Sequence, residues 1–286
     1  MAVKTVRHRN NRGSADTSRN PSRNIWADCP WNAIKEGAVS GVCMEDDFTS
    51  FNKTAATTEG NWGAELSYAQ FAGATGTITA GTGQGGEAVF GATEDDEGVS
   101  IRTLSTPFKI SRSLKQFWFE CRVKSSTITD TKHSFFVGLV QNVAFTAIIP
   151  LTATSALADY NMVGFHRLEG DGDAVDTVYK ADGVTAVTVG ADAVTLVADT
   201  YVKLGMVFRP FFDANIADTG LTNANKWILS FYLDNLKLSD HKQIPSADGT
   251  DFPNDVGLGL AFALNNATGT SEGTTTMDWW RACQLI

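Results

Sequence analysis

The stretch EGDGDAVD sets four carboxylates, Glu169, Asp171, Asp173 and Asp176, at short intervals among glycines. Clustered carboxylate oxygens are what Ca2+ takes as ligands. A calcium loop of the helix-flanked kind also needs a bidentate glutamate at its twelfth position. Counted from Asp171 that position is Asp182, and both flanks read as strands. Asp171, Asp173 and Asp176 therefore stand as candidate metal ligands against a plainer reading, the solvated tip of a hairpin. Acidic loops at 45–47 and 94–98 could supply the paired carboxylates of glycoside hydrolysis, which must face each other at ~5–10 Å across a cleft. Carboxylates clustered in loops are more often surface charge.

Other catalytic patterns are missing. His133, His166 and His241 are scattered, and no Gly-x-Ser-x-Gly nucleophile turn is present. GTGQGGEAVFG is glycine-rich but lacks the Lys-Ser/Thr of a phosphate loop and opens no helix. The four cysteines, Cys29, Cys43, Cys121 and Cys283, show no zinc-type spacing. Cys121 and Cys283 fall in strand-like runs and read as small core residues. No cofactor is expected.

The last residues, TTTMDWWRACQLI, pose the sharpest question. Two adjacent tryptophans can form a sugar-stacking platform. Strand neighbours, however, face opposite sides of a sheet, so one of Trp279 and Trp280 belongs to the core.

Charge is unevenly spread. Residues 1–24 hold Lys4, Arg7, Arg9, Arg12, Arg19 and Arg23 against Asp16 alone, a charge of +5. The chain as a whole carries −9, so the body carries −14. A basic tail on an acidic body suggests an anchoring arm, with Arg7, Arg9, Arg12, Arg19 and Arg23 as partner-binding residues. Phosphate affinity depends on cationic neutralisation, so the body is a poor nucleic-acid binder. Trp26 and Trp31 follow the arm and could supply apolar anchors, on this domain or on a neighbouring subunit. No run approaches the ~20 apolar residues of a membrane helix, and the charged N-terminus does not read as a secretory signal. The expectation is a cytosolic product with reduced thiols.

From Asp46 onward alternation dominates. FWFECRVK puts Phe117, Phe119, Cys121 and Val123 on one face and Trp118, Glu120, Arg122 and Lys124 on the other. YVKLGMVF, WILSFYLDN and DVGLGLAFALNN alternate likewise. In the last, the face opposite Leu258, Leu260, Phe262 and Leu264 is made of Gly257, Gly259, Ala261 and Ala263, which predicts close approach by another segment or subunit. Trp118 and Tyr232, opposite the apolar faces, are the candidates for an exposed ligand face. Helical periodicity is confined to a short turn around 154–159. Short strands separated by turn signals at 181–183, 247–255 and 265–273 predict an all-β antiparallel sandwich.

Three of these strands, in order, resemble the concanavalin A-like lectin/glucanase superfamily. FWFECRVK resembles a strand written there roughly Phe-Glu-Ala-Arg-Ile-Lys, LSFYLDNLKL a Phe-Tyr-Val-Asp-Gly hairpin, and MDWWRACQL a closing Val-Asp-Trp-Val-Arg-Val-Tyr-Gln strand. The resemblance implies a two-sheet jelly-roll sandwich over residues 46–286, preceded by an extended basic arm and anchoring segment over 1–45. It does not imply an enzyme. Family glucanases carry Glu-x-Asp-x-x-Glu between the first two motifs, and HSFFVGLVQ and NMVGFHRLEGDGD offer no such strand. The layout of basic arm, DDF strand and lectin-like body also resembles structural proteins of tailed phages. That implies a non-enzymatic virion protein, made in the host cytoplasm, decorating or cementing a capsid. Its partners would be the major capsid protein or other virion proteins, and it would be a homo-oligomer. The alternative is a carbohydrate-binding lectin-like module or adhesin; a third is a glycoside hydrolase.

Overall fold

The alternation in FWFECRVKS becomes a nine-residue strand in the middle of one of two antiparallel sheets. This computed structural model describes residues 15–49, 66–83, 85–110, 116–144, 146–152, 156–210, 227–244, 251–266 and 273–286. Arg7, Arg9 and Arg12 lie outside the described residues. Two short helices come first, α1 (Arg23–Trp26) and α2 (Trp31–Lys35). The strands are β1 (Gly41–Asp46), β2 (Tyr68–Ala72), β3 (Thr77–Ala80), β4 (Ala88–Gly91), β5 (Gly98–Thr103), β6 (Phe117–Ser125), β7 (His133–Gln141), β8 (Met162–Arg167), β9 (Ala174–Lys180), β10 (Val187–Thr195), β11 (Val202–Pro210), β12 (Trp227–Leu233), β13 (Leu236–Ile244), β14 (Leu258–Asn266) and β15 (Thr274–Leu285).

One sheet runs β13-β12-β11-β6-β15-β4-β3, and β1 joins it by pairing with the later half of β15. The other runs β10-β9-β8-β7-β14-β5-β2. Strands adjacent in space are often distant in sequence. β6 lies between β11 and β15, and β14 between β5 and β7. The architecture is the expected all-β antiparallel sandwich.

The inward faces are those the alternation predicts. Phe117, Phe119, Cys121 and Val123 of β6 meet Leu204, Met206 and Phe208 of β11 and Leu258, Leu260, Phe262 and Leu264 of β14 in one core. Burying such side chains contributes roughly 1.5–3 kcal/mol each, which is why a strand slipped by one residue cannot compete. The small face of β14 is also explained. Ala261 and Ala263 are covered by Ile148, Ile149 and Leu151 of the chain's own β7–β8 connection. In the described part of the turn expected at 154–159 there is no helix; Leu157 instead bridges Leu151.

Two expectations change. β1 makes residues 41–46 a sheet strand, and residues 15–40 lie on the same body, so the folded unit begins well before residue 46. Cys43 and Cys283, directly opposed on β1 and β15 with Cα atoms 4.2 Å apart, form a disulfide where reduced thiols were expected. Cys283 is nonetheless fully buried, as its strand position implied.

Candidate functional site

On the outward face of the eight-stranded sheet, alternation brings together Trp118, Glu120 and Arg122 of β6, Lys203, Gly205, Val207 and Arg209 of β11, and Tyr232 of β12. Sequence reasoning left this face open for a ligand. The structure covers it with residues 15–36, a strap laid across the strands. Trp118 is 0% exposed and Tyr232 only 4%, so neither forms the exposed aromatic platform expected of them. They pack with Val207 and Ile25 in a separate apolar cluster beneath the strap. Ile25 fits because residue 205 is glycine: a Cβ there would strike its Cδ1.

Polar groups fix the strap's position. Glu120 is fully buried, and its carboxylate accepts the Ser22 N–H at 2.9 Å and the Trp26 indole N–H at 2.7 Å. Burial pushes its pKa up, against the opposing effect of these donors and of Lys203. Lys203, 1% exposed, donates to the carbonyl of Asn20 at 2.9 Å and pairs with Asp16 at 3.3 Å. The Trp118 indole N–H donates to Asp28 at 3.0 Å. Asn24 donates twice to Asn235, from its backbone N–H to the side-chain oxygen at 2.8 Å and from its side-chain amide to the backbone carbonyl at 2.7 Å. An unpaired buried charge is costly, so Glu120 and Lys203 bind this segment in this register.

β15 answers the question of the paired tryptophans. A register shift between Met277 and Trp279 leaves Asp278 as an extra residue, so Met277 and Trp280 both face the core. Trp280 is fully buried, and its N–H donates to the Tyr68 hydroxyl at 3.0 Å, which in turn donates to Asp46 at 2.7 Å. Asp278 pairs with Arg122 at 2.6 Å and Arg19 at 2.8 Å. Trp279 faces outward but is 6% exposed, and its indole N–H has no partner among the described residues. It forms part of the wall of a cavity of about 380 Å3 together with Arg19, Asn20, Glu45, Asp47 and Arg281.

Of the predicted partner-binding residues, Arg19 is spent on Asp278 and on the Gly85 carbonyl at 2.6 Å. Arg23 is exposed at the start of α1. Trp26 and Trp31 are half-buried, edge to face at 5.4 Å, and hold the Arg281 guanidinium 4.9 and 4.2 Å from their ring centres. Arg281 also pairs with Glu45 at 2.7 Å. The aromatic anchors thus serve this domain. Glu120, Lys203 and Arg281 were missed as site residues because a charge alternating with apolar residues normally marks a solvated face. Gly205, inside an otherwise apolar strand, was the available sign of close approach.

The outward face of the second sheet is also covered. Phe136, Val140 and Met162 lie under Ile148, Ile149 and Leu151. Outward positions of β7 and β8 read Ser134, Phe136, Gly138, Val140, Met162, Gly164 and His166, without a carboxylate. The acidic run forms the β8–β9 turn and the start of β9. Its carboxylates diverge into local bonds: Asp171 accepts the Leu168 N–H at 2.7 Å and Asp176 the Asp192 N–H at 2.7 Å. Among the described residues no group of three or more His, Cys, Asp or Glu side chains could hold a metal, so Asp171, Asp173 and Asp176 do not converge as ligands. No helix among the described residues is long and apolar enough to cross a membrane.

No protein-family model matches the chain, and no curated protein matches it in sequence. Solved structures similar to it include an endo-β-1,4-glucuronan lyase from the fungus Trichoderma reesei, at 9% identity and TM-score 0.49, covering 85% of this chain and 95% of that one. The carbohydrate recognition domain of Emp47p is similar at 11% identity and TM-score 0.46, covering 85% and 95%. A Bacillus licheniformis β-glucanase is similar at 15% identity and TM-score 0.44, covering 85% and 98%. The likeness is one of strand arrangement and assigns no activity.

Proposed function

We propose that this protein is a non-catalytic structural protein that decorates or cements a phage capsid, with its basic N-terminal residues contacting neighbouring subunits. The observation that carries this reading is the covering of both outward sheet faces by the chain itself, by the strap on one side and the β7–β8 connection on the other. The outward positions of β7 and β8 carry no carboxylate, the side chain that glycoside hydrolysis uses in pairs. Arg7, Arg9 and Arg12 precede the strap in sequence, and arginine suits bidentate pairing with carboxylates of a partner surface.

The test uses two proteins, the full chain and one lacking residues 1–14, so that the strap is kept. Each is incubated with capsid shells of the phage that encodes it and sedimented. The full chain should co-sediment and the shortened one should be lost to the supernatant. Failure of the full chain to co-sediment would refute the capsid role; equal binding by both would refute the arm.

A carbohydrate-binding role is the second reading, favoured by the cavity beside Trp279. It requires saturable binding of an oligosaccharide on a glycan array that Trp279→Ala abolishes.

A further inference from the structure

A second cavity, of about 350 Å3, opens between the strap and the β12–β13 hairpin. Asn24, Ala27 and Asp28 line it from the strap, and Arg209, Tyr232 and Lys237 from the sheet. Two cations therefore face one carboxylate. That carboxylate is already engaged: one oxygen of Asp28 accepts the Trp118 indole N–H at 3.0 Å. Its other oxygen lies 3.7 Å from Arg209, beyond a good hydrogen bond. The Lys237 side chain has no hydrogen bond or ion pair with any described residue. Tyr232 sits directly across from Lys237 in the strand pairing. Its ring is buried, yet its hydroxyl also has no partner among the described residues.

Neighbouring like charges oppose each other's ionised forms. Burial lowers the pKa of Lys237 and Arg209 lowers it further, which places the two cations within electrostatic reach. An anion between them would relieve that repulsion. We infer that this cavity is a binding site for a small oxyanion, a carboxylate or a phosphate, held by Arg209, Lys237 and the Tyr232 hydroxyl. Arg209 offers a planar fork of donors, Lys237 a compact charge, and Tyr232 a neutral donor that fixes orientation. The inference is independent of the capsid reading and stands or falls without it.

Calorimetric titration of the full chain with inorganic phosphate, and separately with glutarate, at constant ionic strength in chloride, tests it. One of the two should bind saturably with one site per chain, and which one binds identifies the anion. Lys237→Met and Arg209→Met should each weaken binding at least tenfold, Tyr232→Phe a few-fold, and Lys109→Met, elsewhere on the surface, should change nothing. Lys237 is exposed, so Lys237→Met keeps the fold and the strap. Absence of saturation with both anions, or equal affinity in Lys237→Met and the unaltered chain, would overturn the assignment.

Discussion

Ile25→Ala should detach the strap and leave the sandwich folded. Ile25 is 1% exposed and packs with Trp118, Val207 and Tyr232 in a cluster separate from the main core. Truncating a buried isoleucine to alanine costs about 2–5 kcal/mol. The site is at the edge of the body, where collapse can fill part of the void, so a value of about 3 kcal/mol is appropriate. At 1.4 kcal/mol per tenfold, the open population then rises about 100-fold. The strap contains Arg19 and Arg23, both followed by asparagine and so open to trypsin once it lifts. When reclosing outpaces cleavage, proteolysis follows the population of the open form. Limited trypsinolysis read by mass spectrometry should therefore show cleavage after Arg19 and Arg23 about 100-fold faster in the variant, with cleavage within the strands β1–β15 unchanged. Cleavage within twofold of the unaltered chain would refute the claim that Ile25 in the Gly205 notch holds the strap. So would loss of strap and sandwich together, which would make them one cooperative unit.

Glu120→Ala removes the acceptor of the Ser22 and Trp26 N–H groups and leaves Lys203 with less compensation. Urea denaturation should show a loss of about 3 kcal/mol, and Glu120→Gln should recover part of it. Alkylation of the denatured protein without reductant should label two of the four cysteines, Cys29 and Cys121, and all four after reduction. Burial lowers the pKa of His133 to about 3, so the folded state binds its proton less well than the unfolded chain does. Its contribution is present above the ordinary value of 6.5 and is lost as pH falls from there towards 3. Over that window the stability of His133→Gln should fall less steeply than that of the unaltered chain, by up to about 1.4 kcal/mol per pH unit. Ala263→Leu forces a larger side chain under Ile148 and Ile149 and should cost about 1–3 kcal/mol in the same denaturation assay.

The inward faces of β6, β11, β12 and β14 were legible because alternation over seven or more residues specifies one buried side, whatever lies opposite. The outward faces were not. A residue such as Trp118 or Glu120 looks the same in sequence whether it meets water or another part of the chain. What decides is a segment about 90 or more residues away, in Ser22, Trp26 and Asp28. The register shift at Asp278 was equally hidden, since simple alternation allows one tryptophan inward but does not say which. Only the glycine and alanine positions left a trace, and they marked where a segment lands without naming it. That is why the antiparallel sandwich could be read, while Trp118 and Tyr232 were placed in solvent.

The strap shows how a sheet face of mixed charged and apolar residues can bind one segment in one position. Apolar contacts at Ile25, Trp118 and Val207 supply attraction without fixing register, because burial is non-directional. The ionic groups do the opposite. Glu120 and Lys203 add little net stability once desolvation is counted, yet each is expensive if left alone. Sliding the strap by one residue would move Ser22 and Trp26 away from Glu120, and Asp16 and Asn20 away from Lys203, together. The penalty for one unsatisfied buried charge is at least about 1–3 kcal/mol, so two errors made at once outweigh any gain from alternative apolar packing. The buried charges therefore select the strap's register, and the apolar cluster holds it there.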